Sequence, residues 1–199
     1  MNALGIYFGP QVISIVETKK KNPINNIQIP HSAISTAELL EEKVPEEVKL
    51  VTLLKDELRK KGIEAKEVTV CLSGKDLIIR TFEMPIYVSR GELRTNAVHF
   101  EAKKYIPFKV EELVSDFQWK FDKSIKKNRA LFVGIKKETL DNFRFMLNQL
   151  DFKINSIEYS AFSVLRLFKL TGVVNKGIVA VADIDVMEED ESNFMVLED

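Results

Sequence analysis

Cysteine occurs once in these 199 residues and histidine twice. A single thiol, Cys71, cannot close an internal disulfide or build a thiolate metal cluster, which fits a reducing compartment. The two histidines, His31 and His99, read as surface or hydrogen-bond-satisfied side chains rather than as bases. A G-x-S-x-G nucleophile turn is missing, so Ser73-Gly74 resembles one only superficially. No apolar run reaches the ~18 residues that cross a bilayer. The start, Met1 to Gly5, lacks the positive segment, apolar middle and cleavage site of a secretory signal, so the chain is expected in the cytoplasm. An excess of positive charge is lacking as well: 29 Lys and Arg face 30 Asp and Glu, a formal charge of -1. That balance argues against an autonomous nucleic-acid binder.

What is present is a foldable chain, 45% hydrophobic and 30% charged, long enough for one globular unit or two small ones. Short apolar and alternating runs predict strands at 3–8 and 12–17, with Gly9-Pro10 as the turn, and a third strand ending near Pro30. Pro45, Glu46 and Glu47 open a helix that buries Leu50, Val51, Leu54 and Leu58. Arg59 to Lys61 close it, with Gly62 as the left-handed cap. Val68 to Leu72 and Leu77 to Phe82 flank Ser73-Gly74-Lys75 and read as a second hairpin. Ser89 and Glu92 have capping-box spacing, which starts a helix at about Arg90. Leu93, Ala97 and Phe100 mark one face of that helix and Val98, Ala102 and Tyr105 the adjoining one, and Pro107 stops it. Strands are predicted at 114–121 and 130–135, a helix through Leu140, Phe143, Leu147 and Leu150, a strand at 152–159, and a helix from Ser160 to Leu170 capped by Gly172. Further strands are expected at 178–182 and 194–197. Strands alternating with helices imply a layered α/β design with mixed sheets.

Charge is uneven along the chain. Asp183 to Asp199 holds eight carboxylates and no Lys or Arg, so the residues before it carry a net +7. The stretch Glu188 to Glu191 reads as a solvated acidic loop. Asp183, Asp185 and Glu188 are oxygen donors at short spacing, but the glycine and spacing of an EF-hand are missing.

The opening Leu4-Gly5-Ile6-Tyr7-Phe8-Gly9, with a strand ending Ile15-Val16-Glu17, resembles the start of the actin-like ATPase superfamily. Met84-Pro85, Glu92-Leu93, Glu101-Ala102-Lys103-Lys104-Tyr105-Ile106-Pro107-Phe108 and Asp116-Phe117-Gln118 are similar to the PilM family of type IV pilus assembly proteins. The resemblance covers nearly the whole chain. It implies an α/β fold: an actin-like (ribonuclease H-like) lobe with a mixed sheet plus an inserted FtsA- and PilM-type subdomain. The lobe would comprise residues 1–84 and 152–175, the insertion 85–151, and residues 176–199 the start of a second lobe. The chain ends at Asp199, short of a complete actin-like protein, and is expected to be an excised half or a protein without its second lobe.

In that superfamily two glycine hairpins bring backbone N–H groups to a nucleotide's phosphates, and an Asp in each helps to hold Mg²⁺. Here the first corresponds to Tyr7, Phe8, Gly9 and Pro10. Tyr7 offers no carboxylate and Pro10 no N–H. The second keeps Asp183 but has Asp185 in place of glycine. Gly9 and Asp183 are thus the remnants of two degenerate phosphate turns, and ATP with magnesium is expected only if a second lobe is present. Glu158 falls where the superfamily positions its attacking water, though a Glu there can also be a cap. The resemblance further implies a non-enzymatic adaptor whose partner is the cytoplasmic tail of a PilN-like inner-membrane protein, held between the first subdomain and the insertion. Other pilus or secretion components are expected partners, nucleic acid is not, and the membrane is reached only through partners. Tyr105, Ile106 and Phe108 are the candidate anchors for an extended peptide, or else pack the insertion onto the body. The alternative readings are an actin-like switch ATPase and a cytoplasmic platform component of type II secretion.

Overall fold

The computed structural model describes residues 2–9, 12–20, 22–30, 45–86, 91–172, 177–184 and 192–198. Their order follows from alternation. In β1 (Asn2–Phe8), Leu4, Ile6 and Phe8 are buried, and in β2 (Val12–Lys19), Ile13 and Ile15 are. Both strands therefore press one face against a core. β1 pairs antiparallel with β2, and β2 with β3 (Asn22–Pro30). On the other side of β1 lies β4 (Glu67–Leu72), parallel to it, followed by β8 (Lys153–Tyr159), parallel to β4. The sheet runs β3-β2-β1-β4-β8, a three-stranded meander extended by parallel strands. This is the ribonuclease H-like order of an actin-like lobe.

Helix α1 (Pro45–Lys60) buries Leu50, Val51, Leu54 and Leu58. It ends as its sequence predicts: Gly62 takes φ 63°, and the N–H groups of Ile63 and Gly62 bond back to the carbonyls of Leu58 and Arg59. Asp151, at φ 57°, closes α3 (Lys137–Gln149) in the same way without a glycine, with Phe152 N–H reaching Leu147 O. Phe143 of α3 packs edge-on against Phe8, ring centroids 5.3 Å apart. Helix α4 (Ser160–Thr171) stops at Gly172, φ 72°.

The chain divides into two compact units, Met1–Asp76 with Asn142–Asp199, and Leu77–Asp141. The inserted unit has its own sheet, in the order β5-β7-β6, from β5 (Ile78–Met84), β6 (Leu113–Asp122) and β7 (Lys127–Lys136), all antiparallel. Helix α2 (Glu92–Tyr105) belongs to the same unit. Its core is Phe82, Met84, Val98, Ala102, Ile106, Val110, Leu113, Ala130 and Phe132. β9 (Ile178–Asp183) and β10 (Asn193–Glu198) form a separate antiparallel pair.

Several expectations are corrected. The strands around Ser73-Gly74-Lys75 do not form a hairpin: β4 pairs with β1 and β8, β5 with β7, and a short 3₁₀ turn (Gly74–Asp76) leads from one unit into the other. The unit boundary accordingly falls at Leu77 rather than at 85, because β5 needs β7 to satisfy its backbone. Helix α2 begins at Glu92 with Gly91 (φ 62°) as N-cap and no side-chain cap bond, and Ser89 lies outside the described residues. Leu93 and Phe100 are exposed on α2, where Val98 and Ala102 form the buried stripe.

Phe132 is fully buried, 6.1 Å from Phe82 between ring centroids, and its ring covers Gly134. Phe132→Ala is expected to lower unfolding free energy by about 3–5 kcal/mol through lost burial and a cavity. Urea denaturation measures this, and a loss below about 1 kcal/mol would contradict the assigned core.

Candidate functional site

The first glycine turn closes on itself. Gly9 N–H donates to Val12 O at 3.0 Å, so this amide serves the β1–β2 hairpin. A Cβ at Gly9 would lie 2.7 Å from Tyr7 Cε1 and 2.9 Å from the Val12 carbonyl oxygen. Glycine is therefore needed here because the Tyr7 ring and a backbone oxygen approach it closely. Pro10 lies outside the described residues.

Tyr7 stands in register with Ser14 on one side and Cys71 on the other, and Cys71 with Glu158. Residues opposite one another share a face, so Ser14, Tyr7, Cys71 and Glu158 form one row across the sheet. Helix α4 completes that row. Arg166 Nη1 donates to both oxygens of Glu158 at 2.8 Å, and Ser163 Oγ donates to Glu158 Oε2 at 3.1 Å. Ser163 Oγ also lies 3.3 Å from Cys71 Sγ. Burial pushes the Cys71 thiol up from its ordinary pKa, moderated by that hydroxyl and by Arg166. A thiolate is the nucleophilic form, so the environment disfavours reactivity. Glu158 is an ion-pair partner with both oxygens engaged, and it would have to surrender those bonds to take a proton from water.

Asp183 ends β9, where its backbone is paired with Asn193. Asp185 and the acidic stretch Glu188 to Glu191 lie outside the described residues. Among the described residues, no group of three or more His, Cys, Asp or Glu could hold a metal ion. His99 is satisfied by Ser115 Oγ at 3.3 Å.

The three candidate anchors separate. Tyr105 is 62% exposed and stacks on Phe82 with centroids 6.0 Å apart. Ile106 is 6% exposed and belongs to the core of the inserted unit, so it is corrected from anchor to packing residue. The reason is local: its N–H caps α2 by bonding Ala102 O at 2.9 Å, and its extended backbone (ψ 125°) places it beneath the end of the helix. Phe108 is 39% exposed, with Lys136 Nζ 4.6 Å from its ring centre. A shallow depression follows, lined by Ile106, Pro107, Phe108, Val110 and Glu111. An adjoining one reaches His99, Phe100, Leu113 and Lys137. Phe100, which the sequence places on an apolar face of the helix with Leu93 and Ala97, is 67% exposed under Lys104. Its position two residues after Val98 was the available signal, since it falls well around the helix from the Val98–Ala102 stripe. Lys103 holds the Glu111 carboxyl below the usual carboxylate range through a hydrogen bond. Tyr105 and Phe108 thus flank buried Ile106 as two exposed rings, an arrangement suited to apolar side chains carried on an extended peptide.

Residues 5–199 match the family model of type IV pilus assembly protein PilM. No curated relative matches the sequence significantly. Among solved structures, the chain is similar to a PilM–PilN type IV pilus biogenesis complex at 22% identity and TM-score 0.74, covering 98% of this chain and 61% of that one. It is also similar to the cytoplasmic domain of EpsL, an inner-membrane component of the type II secretion system of Vibrio cholerae. That likeness is at 15% identity and TM-score 0.61, over 100% of this chain and 71% of that one. At these identities the likeness is one of fold. The chain spans about three-fifths of the first of those chains.

Gly9→Ala is expected to cost about 1–3 kcal/mol of stability, because the Tyr7 ring can swing away but the Val12 carbonyl cannot. Combining it with Tyr7→Ala recovers only part of the loss that Gly9→Ala causes. Thermal melts of the four variants of the cycle measure the coupling, and a Gly9→Ala protein as stable as the parent would show that the turn has room to spare.

Proposed function

Because this chain belongs to the PilM family of type IV pilus assembly proteins, we propose that it is an adaptor that holds the cytoplasmic tail of a PilN-like inner-membrane protein and does not hydrolyse nucleotide. The observation that carries this reading is the pair of exposed rings, Tyr105 and Phe108, set on either side of buried Ile106. A peptide in extended form presents alternate side chains to such rings while its backbone finds partners along the same surface, so recognition needs no catalytic group. Aromatic anchors of this kind carry most of the energy in small interfaces. Support also comes from the likeness to a PilM–PilN complex, whose name states that partner. The adaptor would sit at the inner membrane through its partner; no helix among the described residues is long and apolar enough to cross a bilayer.

The same reading accounts for the turn at Gly9. Phosphate binding needs unengaged N–H groups and space for oxygen atoms at the turn. Here the Gly9 amide is engaged and the Tyr7 ring lies over the glycine. Glu158, with both oxygens bonded to Arg166 Nη1, likewise fits the role of an ion-pair partner better than that of a base.

Tyr105→Ala with Phe108→Ala is expected to weaken capture of an immobilised PilN-like tail peptide by at least tenfold, roughly the 1.4 kcal/mol or more typical of a hot-spot pair. The circular dichroism spectrum and melting temperature should stay close to those of the parent. Undiminished capture by the double variant would reject these rings as the anchors. In isothermal titration, Mg-ATP is expected to give no saturable heat, and micromolar binding by this chain would overturn the non-enzymatic reading in favour of a nucleotide-dependent switch.

A further inference from the structure

Strand β6 forms one edge of the sheet in the inserted unit: β7 lies on one side, and no described strand pairs with the other. Its ten residues, Leu113–Asp122, contain no proline or glycine and keep an unbroken register with β7. An edge this long and regular is a template for another strand unless something blunts it. The direction of the open side is fixed by one hydrogen bond. Phe117 N–H donates to Oδ1 of its neighbour Asp116 at 2.8 Å, so it points away from β7. Backbone groups alternate sides along a strand, so those of Ser115, Phe117, Trp119 and Phe121 all face the open edge.

The exposed residues of this edge are Val114, Asp116, Gln118, Lys120 and Phe121, and its exposed charges are Asp116 and Lys120. Charges on an edge ordinarily discourage pairing. Here they are placed symmetrically, two residues before and two after Gln118. When two copies of β6 are laid antiparallel about Gln118, Asp116 of each faces Lys120 of the other, and Phe117 faces Trp119. The outward backbone groups of Phe117 and Trp119 then form hydrogen-bonded pairs. The two Asp–Lys pairs fall in the alternate positions, where side chains come closest. Neighbouring registers of the same parity lose this match. Centring on Phe117 sets Asp116 against Gln118, and centring on Trp119 sets Asp116 against Asp122. The opposite edge, β5, has no such symmetry: pairing it with itself about Thr81 sets Arg80 against Phe82 and Ile79 against Glu83.

We propose that the β6 edge is an interface for a second copy of this chain, joining two three-stranded sheets into one of six strands across a two-fold axis at Gln118. In the single chain, Asp116 guards the edge by occupying Phe117 N–H. In the pair, that N–H passes to the Trp119 carbonyl of the second copy, and the carboxylate swings to the second copy's Lys120. One strand pairing buries less than the ~1,200 Å² of a standard stable interface, so the contact is transient and is best read by trapping it.

The test uses the full chain with Cys71→Ser, so that one introduced thiol remains. Gln118→Cys puts two thiols on the axis, where opposed Cα atoms in a pair of this type are about 4.5 Å apart, inside the disulfide range. Mild oxidation is expected to give a disulfide-linked dimer. Val114→Cys, whose two copies would lie eight residues apart along the strand, is expected to give little. Adding Asp116→Lys or Lys120→Asp to Gln118→Cys should cut trapping roughly fivefold, since both cross-strand pairs become like-charged. Mixing the Asp116→Lys and Lys120→Asp chains should restore it as a mixed dimer, a result that unfolding of either variant could not produce. Equal trapping at 114 and 118, indifference to the charge reversals, or no dimer from a folded Gln118→Cys protein would each overturn the proposal.

Discussion

The hydrogen bond from Gly9 to Val12, with the Tyr7 ring laid against the glycine, constrains everything this lobe can do. β1 is the middle strand of the main sheet, flanked by an antiparallel partner and a parallel one. Its C-terminal turn is where such a sheet would meet a ligand, since ligands in open α/β sheets gather at strand ends. A ring carbon 2.7 Å and a carbonyl oxygen 2.9 Å from where a methyl would stand leave that turn filled by the protein itself. Phosphate would have to displace an aromatic side chain and compete with a formed backbone bond, in a place where the row beside Tyr7 is closed by the Glu158–Arg166 pair. The turn at the end of β1 is thus filled by the protein's own packing.

How far this could be read from sequence depends on the range over which each signal acts. Alternation in β1 and β2, the cap at Gly62 and the stop at Pro107 are local, and each element forms where its residues place it. That Tyr7 brings no carboxylate to the turn is visible in one residue, whereas the close approach of its ring to Gly9 is seen only in the folded chain. The pairing of β5 was not legible. Two apolar runs around a Ser-Gly-Lys turn have the local chemistry of a hairpin, and only the distant strand β7 decides otherwise. Nor was the burial of Ile106. The proline after it ends the helix, and the extended backbone that follows turns the side chain inward while leaving Tyr105 and Phe108 outside.

The capping box failed for a related reason. Spacing of Ser89 and Glu92 allows a reciprocal cap, but Gly91 at positive φ turns the chain so that the helix starts at Glu92. A glycine adopts that conformation without steric cost, and it competes with a hydroxyl worth about 1 kcal/mol at the cap. Shifting the start changes no core residue, since Val98 and Ala102 set the buried stripe whichever residue begins the helix.

The inserted unit presents surfaces of a different kind. Its core is continuous from Phe82 through Ile106 to Phe132, so the residues it leaves outside are held on a rigid base. On one part of the surface, Phe100 on α2 and Phe108 beyond its end are exposed rings with a lysine ammonium over each, Lys104 over Phe100 and Lys136 over Phe108. Such pairs partly cover apolar area in the unbound protein, because the ammonium lies against the face of the ring in a cation–π contact. They also yield readily, since the lysine side chain can swing aside when a better apolar partner arrives. The β6 edge has the opposite character: its charges are ordered by sequence position, and what they select is a register rather than an apolar surface. The two proposed surfaces discriminate by different physics and would not compete for the same ligand, because neither offers what the other recognises.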